Sequence, residues 1–294
     1  MQKAAKTATW QVQKRYTPWL LAAPVLGGLL VFFALPFCIT IWYSFTFGVG
    51  GAEFVWLDNY GKVLSSAAFQ LAAYNALRVL AIAVPFIMAL GFALALLLQR
   101  KFAGTKLFRS VLLFPMVVPV ASIVMVIQVF FATRGIVNTS LSTLSLPIVE
   151  WLDGSAAVWV LVGLYIWKNC GYNVILMLAG LNMIPSELYQ SADIEGAGYW
   201  QKFCFITMPL IWPSLFFVFV MSVINSFKTY REAFLLGGKH PHESIYMLQH
   251  FLNNNFENLN YQRLSVAAIL LFSFIFALVA VFYAVQKHYG EAAQ

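Results

Sequence analysis

The chain has 294 residues, of which 61% are hydrophobic and only 10% are charged. Soluble domains carry about 25% charged residues, so this composition indicates an integral membrane protein and leaves no room for a large additional domain. The net charge of +7 does not indicate a nucleic-acid-binding protein, because the basic residues cluster beside apolar runs, where membrane topology explains them.

Six apolar runs are long enough to cross a bilayer, since a membrane helix needs roughly 20 apolar residues. The predicted spans are residues 19–45, 71–98, 110–132, 156–181, 210–227 and 264–285. They predict an all-α integral membrane protein with six transmembrane helices. These helices form one transmembrane domain, residues 19–286, between an N-terminal tail, residues 1–18, and a C-terminal tail, residues 287–294.

The segments between the spans carry further local signals. The loop of residues 46–70 holds an aromatic stretch, residues 54–60, that is typical of a short helix at the membrane interface. Pro115 and Pro119 are expected to break the first half of the third span. Residues 228–263, after the fifth span, are predicted to form a long polar loop.

The distribution of Lys and Arg predicts the orientation of the spans. The N-terminal tail and the first inner loop carry eight of these residues together, whereas the first two outer loops carry two. Positive residues are retained on the cytoplasmic side, so both termini are predicted to be cytoplasmic. The same orientation puts the loop of residues 184–209, between the fourth and fifth spans, in the cytoplasm.

This cytoplasmic loop is polar in a chain that is otherwise apolar. Pro185 followed by Glu187 is a helix-start signal. Gly196 and Gly198 on either side of Ala197 indicate a stop or a sharp turn. A second short helix is predicted from Tyr199 onward, so the loop is expected to be a helix, a glycine turn and a second helix.

The amino-acid motif of the loop is more specific than its helix–turn–helix pattern. The segments Gln190-Ser191-Ala192, Ile194-Glu195-Gly196-Ala197-Gly198 and Ile206-Thr207-Met208-Pro209 resemble the EAA loop of ABC importer permeases, which reads E-A-A-x-I-D-G-A-G and later I-x-L-P. Gln190 replaces the usual Glu, Glu195 the usual Asp and Met208 the usual Leu. The first change removes a charge, which puts in doubt a salt bridge from Gln190 to a partner.

The resemblance implies a role for this loop. In the family the loop docks into a cleft on a separate ATP-hydrolysing subunit. Carried over residue by residue, the implied docking residues are Gln190, Ser191, Ala192, Asp193, Glu195, Gly196, Ala197 and Gly198.

Three other segments are similar to sugar-class permeases of the same family. Residues 54–60 are similar to F-V-G-L-x-N-[FY], with Trp56 in place of the usual glycine. Residues 135–138 are similar to G-[IL]-[IV]-N, which follows the third span. Residues 236–241 are similar to the L-T-x-G-G-P turn, with two residues inserted before the proline.

Two polar stripes interrupt the apolar spans at helical spacing. The stripe in the fourth span consists of Asn169, Tyr172 and Asn173. The stripe in the fifth span consists of Ser222, Asn225, Ser226 and Thr229. Polar side chains inside a membrane domain often mark a substrate path, and amides, hydroxyls and one aromatic ring suit a sugar. The alternative is that these groups bond between helices. Lys168 beside them is expected to meet an anionic group or a backbone carbonyl.

The resemblance supports the first interpretation, because substrate contacts in maltose-type members come from these two spans. The sequence has no P-loop and no catalytic triad, so we expect a transport subunit and not an enzyme. His240 and His242 lack a third ligand for a metal site. No cofactor is expected on this chain, and the family implies that ATP and Mg²⁺ bind the partner ATPase.

The combined reading is the permease subunit of an ATP-driven importer of the carbohydrate-uptake class, in the cytoplasmic membrane of a bacterium or archaeon. It implies a second homologous permease subunit, two ATPase subunits, an extracellular substrate-binding protein and a sugar or oligosaccharide as cargo. One alternative is the same type of importer carrying glycerol phosphate or another small polar solute. An alternative of another class is a membrane channel or membrane enzyme without an ATPase.

Overall fold

The computed structural model describes residues 18–48, 50–100 and 103–291, except for the side chains of residues 286 and 288–291. Most of the predicted N-terminal tail and the last three residues of the C-terminal tail lie outside the described residues. The rest of the C-terminal tail continues the last helix as far as Glu291.

The described chain is almost entirely helical. Its helices are α1 (Pro18–Phe45), α2 (Asp58–Leu64), α3 (Ala67–Gln99), α4 (Thr105–Val117), α5 (Val120–Phe131), α6 (Ile136–Thr143), α7 (Ala157–Asn182), α8 (Ser186–Ile194), α9 (Tyr199–Lys202), α10 (Met208–Lys228), α11 (Tyr230–Gly237), α12 (Leu248–Glu257) and α13 (Tyr261–Glu291). A short antiparallel hairpin joins α1 to α2 and pairs β1 (Thr46–Phe47) with β2 (Glu53–Phe54).

Among the described residues, six helices are long and apolar enough to cross a membrane, which confirms the predicted number of spans. The third span differs from the prediction, because α4 ends at Val117 and α5 begins at Val120. Val118 is extended, the conformation that a following proline imposes, so Pro119 divides the predicted helix into two. Pro115 lies inside α4 and does not end it.

The fifth span also differs from the prediction. The sequence predicted a short helix from Tyr199 and a separate span at residues 210–227, but one long helix runs from Tyr199 to Gly237. A π-helical segment, Phe203–Thr207, precedes the proline in this helix. Because a π turn changes the local hydrogen-bond pattern, it allows the chain to pass a residue that has no backbone N–H.

Residues 228–263 are not the long polar loop that the sequence predicted. They fold into α11, the 3-10 turn Glu243–Ile245 and α12. Phe251 of α12 packs edge-on against Phe69 of α3, with ring centroids 5.4 Å apart. Asn75 of α3 donates to the carbonyl oxygen of Tyr246 at 3.0 Å. This segment is therefore part of the packed core.

The hairpin and α2 replace the simple interfacial helix expected after the first span. The buried side chain of Asn59 donates to the carbonyl oxygens of Ser44 at 3.2 Å and Thr46 at 2.8 Å. Trp56 has a positive φ of 51°, a conformation that favours glycine. Trp56 stands where the resemblance to sugar-class permeases has its usual glycine, and it adopts the backbone conformation that glycine favours.

The buried side chain of Asn138 closes the loop after α6. It donates to the carbonyl oxygen of Val149 at 2.9 Å and accepts from Trp151 Nε1 at 3.1 Å. The side-chain amide of Asn138 is thus used in hydrogen bonds within the protein. Asn138 is the asparagine of the segment that resembles G-[IL]-[IV]-N, and its hydrogen bonds give it a structural role in this chain.

Helix α7 lies at the centre of the domain and packs against α3, α4 and α10. Glycines allow these close approaches, as expected for helices in a membrane. A Cβ on Gly171 would lie 1.8 Å from the carbonyl oxygen of Leu112 in α4. A Cβ on Gly180 would lie 2.3 Å from Oγ of Ser214 in α10. Helices α4 and α10 can therefore approach α7 this closely because Gly171 and Gly180 have no side chain.

We predict that Gly171→Ala destabilises the protein, because the new methyl group collides with backbone and α4 must move. Overpacking of this kind costs about 1–3 kcal/mol or more. Gly163→Ala is the matched control, since it lies on the same helix with no heavy atom within 4 Å of its Cβ. Thermal unfolding in detergent measures the difference, and equal stabilities of the two variants would contradict this packing.

Candidate functional site

The loop of residues 184–209 folds as the sequence predicted, into a helix, a glycine turn and a second helix. Helix α8 begins directly after Pro185 and ends at Ile194. Gly196 has a φ of +76°, the left-handed conformation that terminates many helices. The N–H of Ala197 then donates to the carbonyl oxygen of Ala192 at 2.9 Å, which closes the turn.

Side chains hold the turn against the following helix. Lys202 pairs with Asp193 across the turn, with Nζ 2.5 Å from Oδ1. The N–H of Gly198 donates to Oε1 of Gln201 at 2.7 Å. The hydroxyl groups of Tyr189 and Thr207 lie 2.9 Å apart and connect α8 to the π-helical segment. The loop is consequently attached to the long helix at several points.

Most of the predicted docking residues are exposed on this loop. The exposed members are Gln190, Ser191, Asp193, Glu195, Gly196 and Gly198, whereas Ala192 and Ala197 are partly buried. Sequence reasoning did not select Ile194 and Trp200, whose exposed fractions are 88% and 72%. Large apolar side chains exposed on a polar loop mark a surface for another protein. The presence of such residues within a polar loop is the sequence signal that could have identified Ile194 and Trp200.

The two polar stripes meet where α7 crosses α10. Nδ2 of Asn173 donates to Oγ of Ser222 at 2.8 Å, and the hydroxyl of Tyr165 donates to the carbonyl oxygen of Ser222 at 2.7 Å. Oγ of Ser226 donates to the carbonyl oxygen of Val223 at 2.7 Å. Asn173, Ser222, Ser226 and Thr229 are all buried, so these four side chains bond within the protein.

The other three predicted residues are partly exposed: Asn169, Tyr172 and Asn225. Nδ2 of Asn169 donates to the carbonyl oxygen of Tyr165 at 2.9 Å, which leaves its side-chain oxygen available. The hydroxyl of Tyr172 forms no hydrogen bond with any described residue. This subset can contact a solute, while the buried four hold the helices that carry it.

Of the two partners that the sequence left open, Lys168 meets the anionic group, which is a carboxylate of the same chain. Its Nζ lies 2.5 Å from Oε1 of Glu232 in α11. The sequence could not identify this partner, because Glu232 falls in the segment predicted as a polar loop and lies 64 positions away. Only the packing of α11 brings the two charges together.

His250 lies on α12, outside the spans, and packs into a cluster of aromatic rings. The rings of Tyr230, Phe234 and Tyr246 surround the imidazole, and Nδ1 accepts from the N–H of Met247 at 3.0 Å. Burial, and to a lesser extent repulsion from His240, lower the pKa of His250 to about 4, although the backbone of Gly238 favours the protonated ring. In the described residues, no group of three or more His, Cys, Asp and Glu side chains could hold a metal ion.

Comparison with known proteins gives a family for most of the chain. The family described as "Binding-protein-dependent transport system inner membrane component" matches residues 87–291. The chain is 29% identical to the trehalose/maltose transport system permease protein MalF of Thermococcus litoralis, over 92% of this chain and 93% of that protein. It is 28% identical to the sulfoquinovosyl glycerol transport system permease protein SmoG of Agrobacterium fabrum, over 89% and 86%.

Solved structures share the fold. A bacterial ABC transporter involved in import of the acidic polysaccharide alginate contains a chain with a TM-score of 0.81, 22% identity and coverage of 96% of this chain and 99% of that chain. A second structure shows an alginate ABC transporter with an alginate pentasaccharide-bound periplasmic protein, with a TM-score of 0.79, 21% identity and coverage of 96% and 98%. The likeness confirms the predicted all-α membrane fold.

We predict that Asn173→Leu lowers stability, because it removes the hydrogen bond between α7 and α10. A bond of this type contributes roughly 1 kcal/mol. Tyr172→Phe on the same helix is the control, since its hydroxyl bonds to no described residue. Thermal unfolding in detergent tests the pair, and a larger loss for Tyr172→Phe would contradict the assignment.

We also predict a pH-dependent loss of stability that depends on His250. The unfolded chain binds this proton near pH 6.5 and the folded chain near pH 4. Stability from the neutral ring is therefore complete above pH 6.5 and falls as the pH drops towards 4. His250→Asn keeps an acceptor for the Met247 N–H and is expected to flatten this slope, whereas His240→Asn removes only the minor repulsion and should flatten it much less. Unfolding curves at several pH values measure the slopes, and identical slopes for wild type and His250→Asn would disprove the prediction.

Proposed function

The chain belongs to the family of binding-protein-dependent transport system inner membrane components, and on this premise we propose that it is the permease subunit of an ATP-driven importer of a sugar or oligosaccharide. The observation that carries the proposal is the rigid, exposed helix–turn–helix at Ser186–Lys202, in a chain whose family moves solutes across the inner membrane. ATP hydrolysis would occur, with Mg²⁺, on partner subunits.

The loop is built to transmit movement. It continues without a break into the long helix Tyr199–Gly237, and the Asp193–Lys202 and Tyr189–Thr207 contacts tie α8 to the start of that helix. The same helix carries Ser222, which bonds to Asn173 of α7. When an ATPase moves the loop, it therefore moves the helix that forms one side of the polar contact, as alternating access requires.

The cargo assignment rests on the accessible polar side chains. Asn169, Tyr172 and Asn225 would contact the solute, while Asn173, Ser222, Ser226 and Thr229 hold the helices behind them. Uncharged amides, hydroxyls and an aromatic face match the hydroxyl groups and apolar face of a sugar. The relatives that are named for trehalose, maltose and sulfoquinovosyl glycerol support a saccharide or a glycoside.

The alternatives receive less support. A glycerol phosphate importer would need an uncompensated cation where the solute binds, and the partly buried Lys168 is paired with Glu232. A channel or membrane enzyme without an ATPase would leave the exposed loop without a partner. The family match favours the importer over the channel or membrane enzyme.

The proposal extends to partners and orientation. We place this subunit, a multi-pass protein, in the cytoplasmic membrane of a bacterium or archaeon, with residues 1–18 and 287–294 in the cytoplasm. The assembly would contain a second homologous permease subunit, two ATPase subunits and an extracellular substrate-binding protein. A structure of an alginate transporter with its periplasmic protein supports the last partner.

We predict that Ile194→Lys abolishes ATPase docking, because the new charge would be buried without a partner in the ATPase cleft. Burial of an unpaired charge costs several kcal/mol, and roughly 1.4 kcal/mol corresponds to tenfold in affinity. Leu259→Lys is the control, since Leu259 is 69% exposed on the opposite, predicted outer side. Gly196 is less suitable for mutation, because any side chain there strains a backbone with φ of +76°.

Co-purification from cells that express the whole transporter measures this effect. The ATPase should remain with wild type and with Leu259→Lys, and should fall at least about tenfold with Ile194→Lys. Equal recovery with all three would reject the docking role of the loop.

We further predict that Tyr172→Ala reduces transport without loss of stability, because the partly exposed ring is expected to stack on the sugar. Loss of one stacking surface costs about 1 kcal/mol or more, so uptake at low substrate concentration should fall roughly fivefold or more. ATP-driven uptake into proteoliposomes measures this change, and Tyr283→Ala, at an exposed position on α13, is the comparison. Unchanged uptake in Tyr172→Ala would remove Tyr172 from the path.

A further inference from the structure

We infer that the Lys168–Glu232 pair makes the substrate path selective for uncharged saccharides, with Glu232 as the residue that determines this specificity. The inference rests on the proposed function and adds a choice that the comparisons leave open. The similar proteins include one named for trehalose and maltose and one from a transporter of an acidic polysaccharide. Whether a cargo is neutral or anionic is decided by the charges along the path.

The pair lies beside the residues proposed to contact the cargo. Lys168 is the only charged residue in the sequence of α7. It directly precedes Asn169, and it shares a helix face with Tyr172 because residues four apart are neighbours on a helix. Glu232 belongs to α11, which follows directly after the stripe of α10. The ion pair thus joins the two helical segments that carry the polar stripes.

The two partners differ in accessibility. The side chain of Lys168 is 22% exposed and that of Glu232 is 5% exposed. A solute on this side therefore meets the lysine side chain before the carboxylate, which is buried. A lysine ammonium has three N–H donors and uses one for Glu232, so it can donate to sugar hydroxyls. Because its charge is already compensated, it offers little attraction to a carboxylate or phosphate.

Glu232 depends on Lys168 in return. Its second oxygen, Oε2, is buried and accepts no hydrogen bond from any described residue. If a substrate anion drew Lys168 away, a carboxylate would remain buried without a counter-charge, which is strongly unfavourable. An anionic cargo must overcome this cost, whereas a neutral sugar leaves the pair intact. The pair therefore discriminates against anions.

Two other cations near the path do not reverse this discrimination. Lys228 and Arg231 are exposed, and Lys228 donates to Oδ1 of Asn225 at 3.3 Å. Solvent and salt screen exposed charges much more than partly buried ones. They can attract anions to the surface, but the partly buried Lys168 is the charge that a bound cargo contacts.

Substitution of Glu232 tests the inference in the assembled transporter. Equilibrium binding is measured by calorimetry in detergent for maltotriose, galactotriose and trigalacturonate, without the binding protein, so that only the membrane complex selects. Galactotriose and trigalacturonate differ by a carboxylate on each ring and form the matched pair. Wild type is expected to bind a neutral trisaccharide at least about tenfold more tightly than trigalacturonate.

Glu232→Gln exposes an uncompensated Lys168 and should shift the ratio of acidic to neutral affinity by at least about tenfold towards trigalacturonate, as expected for one new charge contact. That gain should weaken as salt is raised. Glu232→Asp should restore the wild-type ratio, and the double variant Lys168→Gln with Glu232→Gln should keep the preference for neutral sugars. A role in packing alone would lower both affinities equally and would leave the ratio unchanged.

The outcomes separate this inference from the proposed function. If wild type prefers trigalacturonate, or if Glu232→Gln leaves the ratio unchanged, the specificity assignment is wrong although the sugar importer stands. If wild type retains its ATPase but binds none of the three saccharides, the cargo proposal fails and the inference fails with it. If Glu232→Gln does not assemble, a wild-type preference for neutral sugars that the double variant retains supports the inference, and loss of that preference overturns it.

Discussion

The contact between α7 and α10 at Ser222 is the interaction on which the arrangement of the domain depends. A bilayer has no water to satisfy polar groups, so Asn173, Tyr165 and Ser222 bond to one another. The bonds fix the register of two helices whose other contacts are largely apolar and unspecific. Glycines on α7 then let α4 and α10 approach to backbone distance. Polar pairing sets the register, and small residues set the spacing.

The same constraint explains the treatment of charge. Lys168 is tolerable among apolar helices because Glu232 compensates it, and an uncompensated ion there would be costly. On the loop, Lys202 is partly exposed and Asp193 is exposed, and an ion pair in such a position contributes less energy. That pair mainly orients the loop. The first pair is the one that we infer to select the cargo, and the second shapes the exposed surface that we propose as the docking site.

Mechanical continuity connects these two regions. The loop passes into one helix that ends beyond Thr229, and the π-helical segment Phe203–Thr207 carries the chain past Pro209 without a break. A hinge at the proline would have uncoupled the loop from the polar contact. The second half of the loop and the buried contact at Ser222 therefore lie on one continuous helix, to which α8 is attached by the Asp193–Lys202 and Tyr189–Thr207 contacts.

The sequence by itself determined the number of spans, the helix–turn–helix of the loop and the family, because these depend on local signals: apolar length, glycine and proline, and motif spacing. Only the tertiary structure decided the partner of Lys168, the helical fold of residues 228–263 and the division of the polar stripes into buried and accessible members. Polarity along the chain reports which groups need a partner. It does not report which distant group satisfies them, because that depends on how the helices pack in three dimensions.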